Sequence, residues 1–288
     1  MINRPTNPTS STEKRHAFRR LHESGCFVIP NPWDVGGVRF LQSLGFKALA
    51  TTSSGHAWAH GYPDGAMPVD DVLAHLREIV DASDLPVNAD FGNGFAPDAA
   101  GVEVNVGLAI KTGVAGVSIE DATGIADKPL FDIDTAVSRI RAARVAIDKA
   151  GGDTLLVGRA ECFLVGQPDL DETILRLKLY AEAGADCLYA PGISTRQEIA
   201  AVVAAVAPKP VNLLVGSASG LVMEEIAALG VRRVSVGGSL ARTAWAAFDH
   251  AARLLAEQGR FDGFADALPG QELDSFFRND LSGREGQH

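Results

Sequence analysis

A chain of 288 residues with 46% hydrophobic composition has enough apolar material for one large core, or at most two domains. Its net charge of −10, without any basic run, argues against nucleic acid and an anionic membrane surface as partners. The three cysteines, Cys26, Cys162 and Cys187, form no C-x-x-C pair, and no apolar run is long enough to span a bilayer, so the sequence reads as a cytoplasmic protein.

Residues 1–25 read as a polar extension followed by a helix, with no signal-peptide core. Short apolar runs then recur at Phe27–Pro30, Ala48–Thr52, Pro86–Phe91, Gly116–Glu120, Leu155–Glu161, Cys187–Ala190, Val211–Val215 and Arg233–Gly237. They lack strict alternation, as strands buried on both faces of a parallel sheet do. Helical patterns separate them. Pro68–Ser83, Asp132–Ala150, Asp171–Ala183 and Thr195–Val206 repeat apolar residues at helical spacing. Glycines close several of these units, as in SLGFKA, KTGVAG, EAGADC and ALGVRR. Eight strands alternating with helices predict a single-domain (β/α)8 barrel, with its core over residues 26–240. The rival is an open doubly wound sheet, but IPNPWDVGG after the first strand is not a G-x-G-x-x-G fingerprint. Residues 241–288 read as a helical tail. Its Phe261, Phe264, Leu268, Leu273, Phe276 and Phe277 need a surface to cover them, either the chain's own barrel or a neighbouring subunit.

In a barrel of this kind the working residues lie at the C-terminal ends of the strands. Those ends carry Asn31, Trp33 and Asp34, then Ser53-Ser54-Gly55-His56 with Asp64 shortly after, then Asn88 and Asp90, Glu120 and Asp121, Arg159 and Glu161, Tyr189, Asn212, and Gly237-Gly238-Ser239. Asp64, Asp90, Glu120 and Glu161 cannot all ionise in one dry cavity without compensation, and Arg159 is read as offsetting one of them. A divalent cation is the economical answer, and an all-oxygen ligand set selects Mg²⁺ or Mn²⁺. Asp34 and Asp121 read as well as helix caps, and Arg159 with Glu161 as a structural ion pair. Ser53-Ser54-Gly55 reads as a small-residue loop whose N–H groups would cradle a carboxylate or phosphate. His56 and His60 fall in a loop over the predicted mouth. His16, His22, His75 and His250 fall on helical faces.

The ordered set of SSG, P-D-G, N-A-D-x-G-x-G, S-I-E-D and G-R-A-E resembles the isocitrate lyase and phosphoenolpyruvate mutase superfamily from about Asn31 to Phe277. The resemblance implies a Mg²⁺-dependent (β/α)8 enzyme that makes or breaks a C–C or P–C bond beside a 2-oxo acid. It further implies a homotetramer or homodimer with a C-terminal helix exchanged between subunits. Carried over by motif, Asp90 is the metal ligand and Glu120 stands near the metal. Ser53 and Gly55 hold the substrate carboxylate. By their places at strand ends and over the mouth, and not by motif, Ser54, His56, Asn88, Glu161 and Asn212 are further candidates on the substrate side. Asp64 and Arg159 act on the reacting group.

Two departures narrow the expectation. Asn88 stands where the family carries Asp, and the lid reads ATGIADKPLFD without the Lys-x-Cys-Gly-His of isocitrate and methylisocitrate lyases. The expected activity is therefore not theirs but lysis of a small 2-oxo acid through an enolate, with decarboxylation of an oxaloacetate-like substrate fitting best. The alternatives are P–C chemistry on a phosphonate or carboxyphosphonate, with Thr123 as a lid residue, and a barrel without catalysis. A Schiff-base aldolase lacks a lysine at any strand end.

Overall fold

The structure, a computed structural model, describes residues 10–285. The chain divides into two compact units, one of Ser10–Gly238 and one running from Ser239 onward.

The first unit is a barrel. Its strands are β1 (Phe27–Ile29), β2 (Leu49–Ala50), β3 (Val87–Asp90), β4 (Gly116–Glu120), β5 (Leu155–Arg159), β6 (Cys187–Tyr189), β7 (Val211–Leu214) and β8 (Arg233–Ser235). Each lies within one of the eight apolar runs. All are parallel, in the order β1-β8-β7-β6-β5-β4-β3-β2. The pairing of β1 with β8 rules out the open sheet. Between β1 and β2 the ring closes by single bonds: Ala50 N–H donates to Pro30 C=O (3.0 Å), and Asn31 Nδ2 donates to Thr51 C=O (2.9 Å).

The helices of this unit are α1 (Ser11–Leu21), α2 (Val35–Ser43), α3 (Ser53–Ala59), α4 (Val69–Asp81), α5 (Ala99–Lys111), α6 (Ile133–Lys149), α7 (Leu170–Glu182), α8 (Arg196–Val206) and α9 (Met223–Ala228). Most start where a short polar side chain satisfies an orphan N–H. Asp34, Asp98, Asp132 and Asp169 cap α2, α5, α6 and α7, while Ser10 with Glu13 and Thr195 with Glu198 form capping boxes. The cap reading of Asp34 is therefore the one the structure bears out.

Two apolar layers result. The outer one packs helix faces on the barrel wall, with Leu76, Ile79, Val106, Ile140, Ile147 and Leu177 fully or nearly fully buried. The inner one fills the barrel with Ile29, Ala50, Leu155, Val157, Cys187 and Tyr189. Phe18 of α1 joins the inner layer. Arg15 Nε bonds Val114 C=O and Arg19 Nε bonds Asp153 C=O, both just ahead of strands, so α1 plugs the N-terminal mouth. The opposite mouth is the one left for chemistry.

The second unit holds α10 (Ser239–Gln258), a 3₁₀ turn at Asp262–Phe264 and α11 (Gly270–Glu285). The 3₁₀ turn approaches α10 closely at Gly263, where a Cβ would stand 2.9 Å from Ala251 Cα. Phe248, Phe261, Phe264 and Leu268 are exposed.

Candidate active site

Parallel register sets the depth of each strand-end residue. Glu120 of β4 pairs with Arg159 of β5, and Arg159 with Tyr189 of β6, so these three share one row at the C-terminal mouth. Asp90, the last residue of β3, pairs with Ser118. Period two turns Asn88 and Asp90 to the same face, with Asn88 one layer deeper.

Arg159 is the hub. Its Nη1 lies 2.6 Å from Asp90 Oδ1, its Nη2 3.1 Å from Glu120 Oε2 and its Nε 2.9 Å from Glu161 Oε1. The expectation that Arg159 offsets one carboxylate is thus corrected: it bridges three, because its planar fork presents donors on three sides. The guanidinium also lies over the Tyr189 ring, 4.9 Å from its centroid. Asp90 is fixed from its other side as well. Ser53 N–H donates to Asp90 Oδ2 (3.0 Å), and Asp90 N–H donates to Thr51 Oγ1 (2.9 Å).

The carboxyls carry the strain of shared charge. Glu120 is pushed well above its ordinary range, chiefly by lost solvation, with Glu161, Asp90 and Asp64 adding to the effect and Arg159 opposing it. Glu161 is raised to about 6, again mainly by burial. Asp64, after α3 in the exposed P-D-G segment, is raised by partial desolvation and then by the charge of Asp90. Four carboxyls, Asp64, Asp90, Glu120 and Glu161, thus face one bonded guanidinium. Among the described residues no three His, Cys, Asp or Glu side chains form a ready metal cage. The donors fit a hard cation held by one or two carboxylates, with water and substrate oxygens completing its shell, which is how Mg²⁺ is usually held.

The cluster opens into a cleft at the C-terminal mouth of the barrel. Ser53, Ser54, Asp64, Asn88, Asp90 and Arg159 line it, and so do Ser118, Tyr189, Arg233 and Ser235. Other expected residues are placed differently. Ser53-Ser54-Gly55 is not a free loop but the first turn of α3, capped by Thr52, whose Oγ1 accepts from Gly55 N–H (3.3 Å). Gly55 and His56 are buried. His56 stacks on His75 with centroids 3.7 Å apart and borders a second, mainly apolar hollow rather than the cleft mouth. His60 ends the same helix. Asn212 is fully buried, its Nδ2 bonding Ser235 Oγ (2.9 Å) and its Oδ1 accepting from Arg233 Nε (2.7 Å). Asn88 Nδ2 bonds Ser118 Oγ (2.9 Å) and its Oδ1 faces Arg233 Nη1 at 3.4 Å.

Asp121 is a structural post. It accepts from Glu161 N–H (2.8 Å), Arg176 Nη1 (3.1 Å) and Tyr180 OH (2.5 Å), which fixes the turn after β5. In the lid, Ala122 bridges Leu130, and the Thr123 hydroxyl is taken up by Lys128 C=O and Ile125 N–H. Thr123 is thus committed within the lid. Arg233 went unremarked in the sequence because it reads as the first residue of an apolar run. The available signal was its phase, two residues before Ser235 and therefore also inward.

Comparison with known proteins gives a consistent family. The sequence profile named phosphoenolpyruvate phosphomutase matches residues 18–256. The oxaloacetate decarboxylase of Bradyrhizobium sp. (strain ORS 278) is 31% identical over 201 residues, covering 67% of this chain and 68% of that protein. A candidate lyase/mutase of Burkholderia cenocepacia J2315 superposes with a TM-score of 0.89 at 47% identity, over 93% of this chain and 97% of that one. Oxaloacetate acetylhydrolase, solved with its product oxalate, superposes with a TM-score of 0.82 at 27% identity, over 97% of this chain and 98% of that one.

Proposed function

The chain belongs to the phosphoenolpyruvate phosphomutase family, and from that premise we propose that it is a Mg²⁺-dependent carbon–carbon lyase that decarboxylates a small, oxaloacetate-like 2-oxo acid. The observation that carries this reading is the Asp90–Arg159–Glu120 cluster at the mouth of the barrel, open to the cleft. Asp90 and Glu120 would hold the cation, Mg²⁺ or in its place Mn²⁺. When bound, it would supply positive charge where an enolate oxygen develops.

The residues of the chain divide the remaining work. Ser53 and Ser54, at the cleft wall, bind the carboxylate next to the 2-oxo group. Arg159 spends three of its donors on carboxylates and keeps two N–H groups for substrate oxygen. It stabilises negative charge as the C3–C4 bond breaks, CO2 leaves and the electron pair spreads over C3, C2 and the C2 oxygen. Glu161 and Tyr189 keep the guanidinium oriented. Asp64, at the cleft wall with its carboxyl raised by partial desolvation and by the charge of Asp90, relays a proton from water to C3. The protein acts as a homodimer or homotetramer, with the unit beyond Ser239 as the contact.

Oxaloacetate turnover and oxalate titration calorimetry test the reading, both with and without Mg²⁺. We expect metal-dependent turnover and metal-dependent oxalate binding, and an Asp90→Ala variant slower by about 10²-fold or more. An active Asp90→Ala enzyme would overturn the proposal. Phosphonopyruvate followed by ³¹P NMR checks the alternative P–C chemistry, and turnover there without oxaloacetate decarboxylation would replace the lyase reading.

A further inference from the structure

Arg233 enters the barrel interior from the start of β8 and is 2% exposed. An arginine stays protonated in a protein, so this is a buried positive charge. Its hydrogen-bond partners are neutral: Asn212 Oδ1 at Nε (2.7 Å) and Asn88 Oδ1 at Nη1 (3.4 Å). Among the described residues no carboxylate forms an ion pair with it. Of the other buried arginines, Arg176 pairs with Asp121 and Arg159 with three carboxylates. Arg139, like Arg233, donates to neutral oxygens, the carbonyls of Asn93 and Ala96, but unlike Arg233 it does not line the cleft.

An unpaired charge out of water is expensive, and one that lines a cleft can take its counter-charge from a bound anion. The guanidinium of Arg233 lines the cleft, with the hydroxyl-bearing Ser118 and Ser235 beside it. The two asparagines aim it without cancelling it. Asn212 is held by Ser235, and Asn88 by Ser118, so both present oxygen to Arg233. An aspartate at position 88 would pair with Arg233 and neutralise the inner end of the cleft. Asn88 leaves it positive.

We infer that Arg233 is a specificity-determining residue that binds a second anionic group of the substrate at the inner end of the cleft. The substrate is then a dianion: one carboxylate lies at the mouth with Ser53 and Arg159, and the second reaches Arg233. The inference rests on the lyase reading and assigns the residue that recognises the second carboxylate of its oxaloacetate-like substrate.

Calorimetry with Mg²⁺ present, using pyruvate and 3,3-difluorooxaloacetate, isolates the second carboxylate. The intact protein should prefer the dianion by about tenfold or more, the scale of a charge-assisted hydrogen bond. Arg233→Met should abolish that preference while pyruvate affinity stays within about twofold. Asn212→Asp, which sets a carboxylate against Nε and leaves Arg233 in place, should reduce the preference in the same way, so the test survives if Arg233→Met does not fold. An undiminished preference in the folded variants overturns the inference. If the intact protein binds neither 2-oxo acid, the lyase reading fails, and inorganic phosphate becomes the probe. Phosphate binding lost in Asn212→Asp would keep Arg233 as an anion site, and no phosphate binding would end that assignment too.

Discussion

Three imidazoles are buried away from the reacting groups, and they set an acid limit on the fold. His22 packs edge-on to Phe18 and Phe27, with Nδ1 bonded to Phe18 C=O (2.8 Å). His56 and His75 stack nearly parallel, 15° apart. Burial lowers His22 to about 3, His56 to about 4 and His75 to about 3, with neighbouring positive charge adding to each effect. The unfolded chain protonates histidine near pH 6.5. Between about 6.5 and these values the unfolded state binds more protons, so this stabilisation is complete above pH 6.5 and is lost as pH falls. Urea-unfolding free energy should therefore drop between pH 6.5 and 4. His75→Phe keeps a ring in the stack and removes one titrating group. It should flatten the drop by up to about 1.4 kcal/mol per pH unit in that window. Equal slopes for the two proteins would show that His75 is not held neutral by the fold.

At the scale of elements, α1, β3 and β4 meet at Gly116. A Cβ there would stand 2.6 Å from Asn88 Oδ1 and 2.7 Å from the Phe18 ring, so the helical plug and the inner layer both depend on a missing side chain. Gly116→Ala should destabilise the barrel by about 1–3 kcal/mol, read as a lower urea midpoint at unchanged slope. Full stability would mean that Phe18 can withdraw without cost. That contact was invisible in the sequence, although β4 itself was not. Strands β3 to β5 announced themselves because buried parallel strands are continuously apolar. The carboxylates at their ends stood out as charge where charge is costly. What the sequence could not carry was pairing across the barrel. Arg159 looked like the partner of Glu161, two residues away, whereas Asp90 and Glu120 also reach it from neighbouring strands. Helix α3 was misread for a local reason. Ser53, Ser54 and Gly55 are loop-prone, but Thr52 caps them, and His56 and Ala57 bury the face that follows.

For the whole molecule, the unit Ser10–Gly238 contains every residue of the cleft, so the proposed chemistry needs nothing from the unit that follows. That second unit must then be explained by something other than lining the site. It exposes Phe248 by 63%, Phe261 by 67% and Leu268 by 56%, with Trp245 and Phe248 in edge contact. Apolar side chains clustered at this density are a usual mark of a protein–protein contact. A net charge of −10 keeps separate copies apart unless burial of such a surface outweighs the repulsion. The proposed homodimer or homotetramer gives these residues a covering, and it makes a measurable statement. Light scattering should give about two or four times the 30.3 kDa of one chain. Phe248→Glu combined with Phe277→Glu would force charges into the contact and should return the mass to that of one chain, with the oxalate affinity of the barrel unit intact. A monomeric intact protein would refute the assembly and leave the lyase proposal standing, because every residue given a role in it lies within Ser10–Gly238.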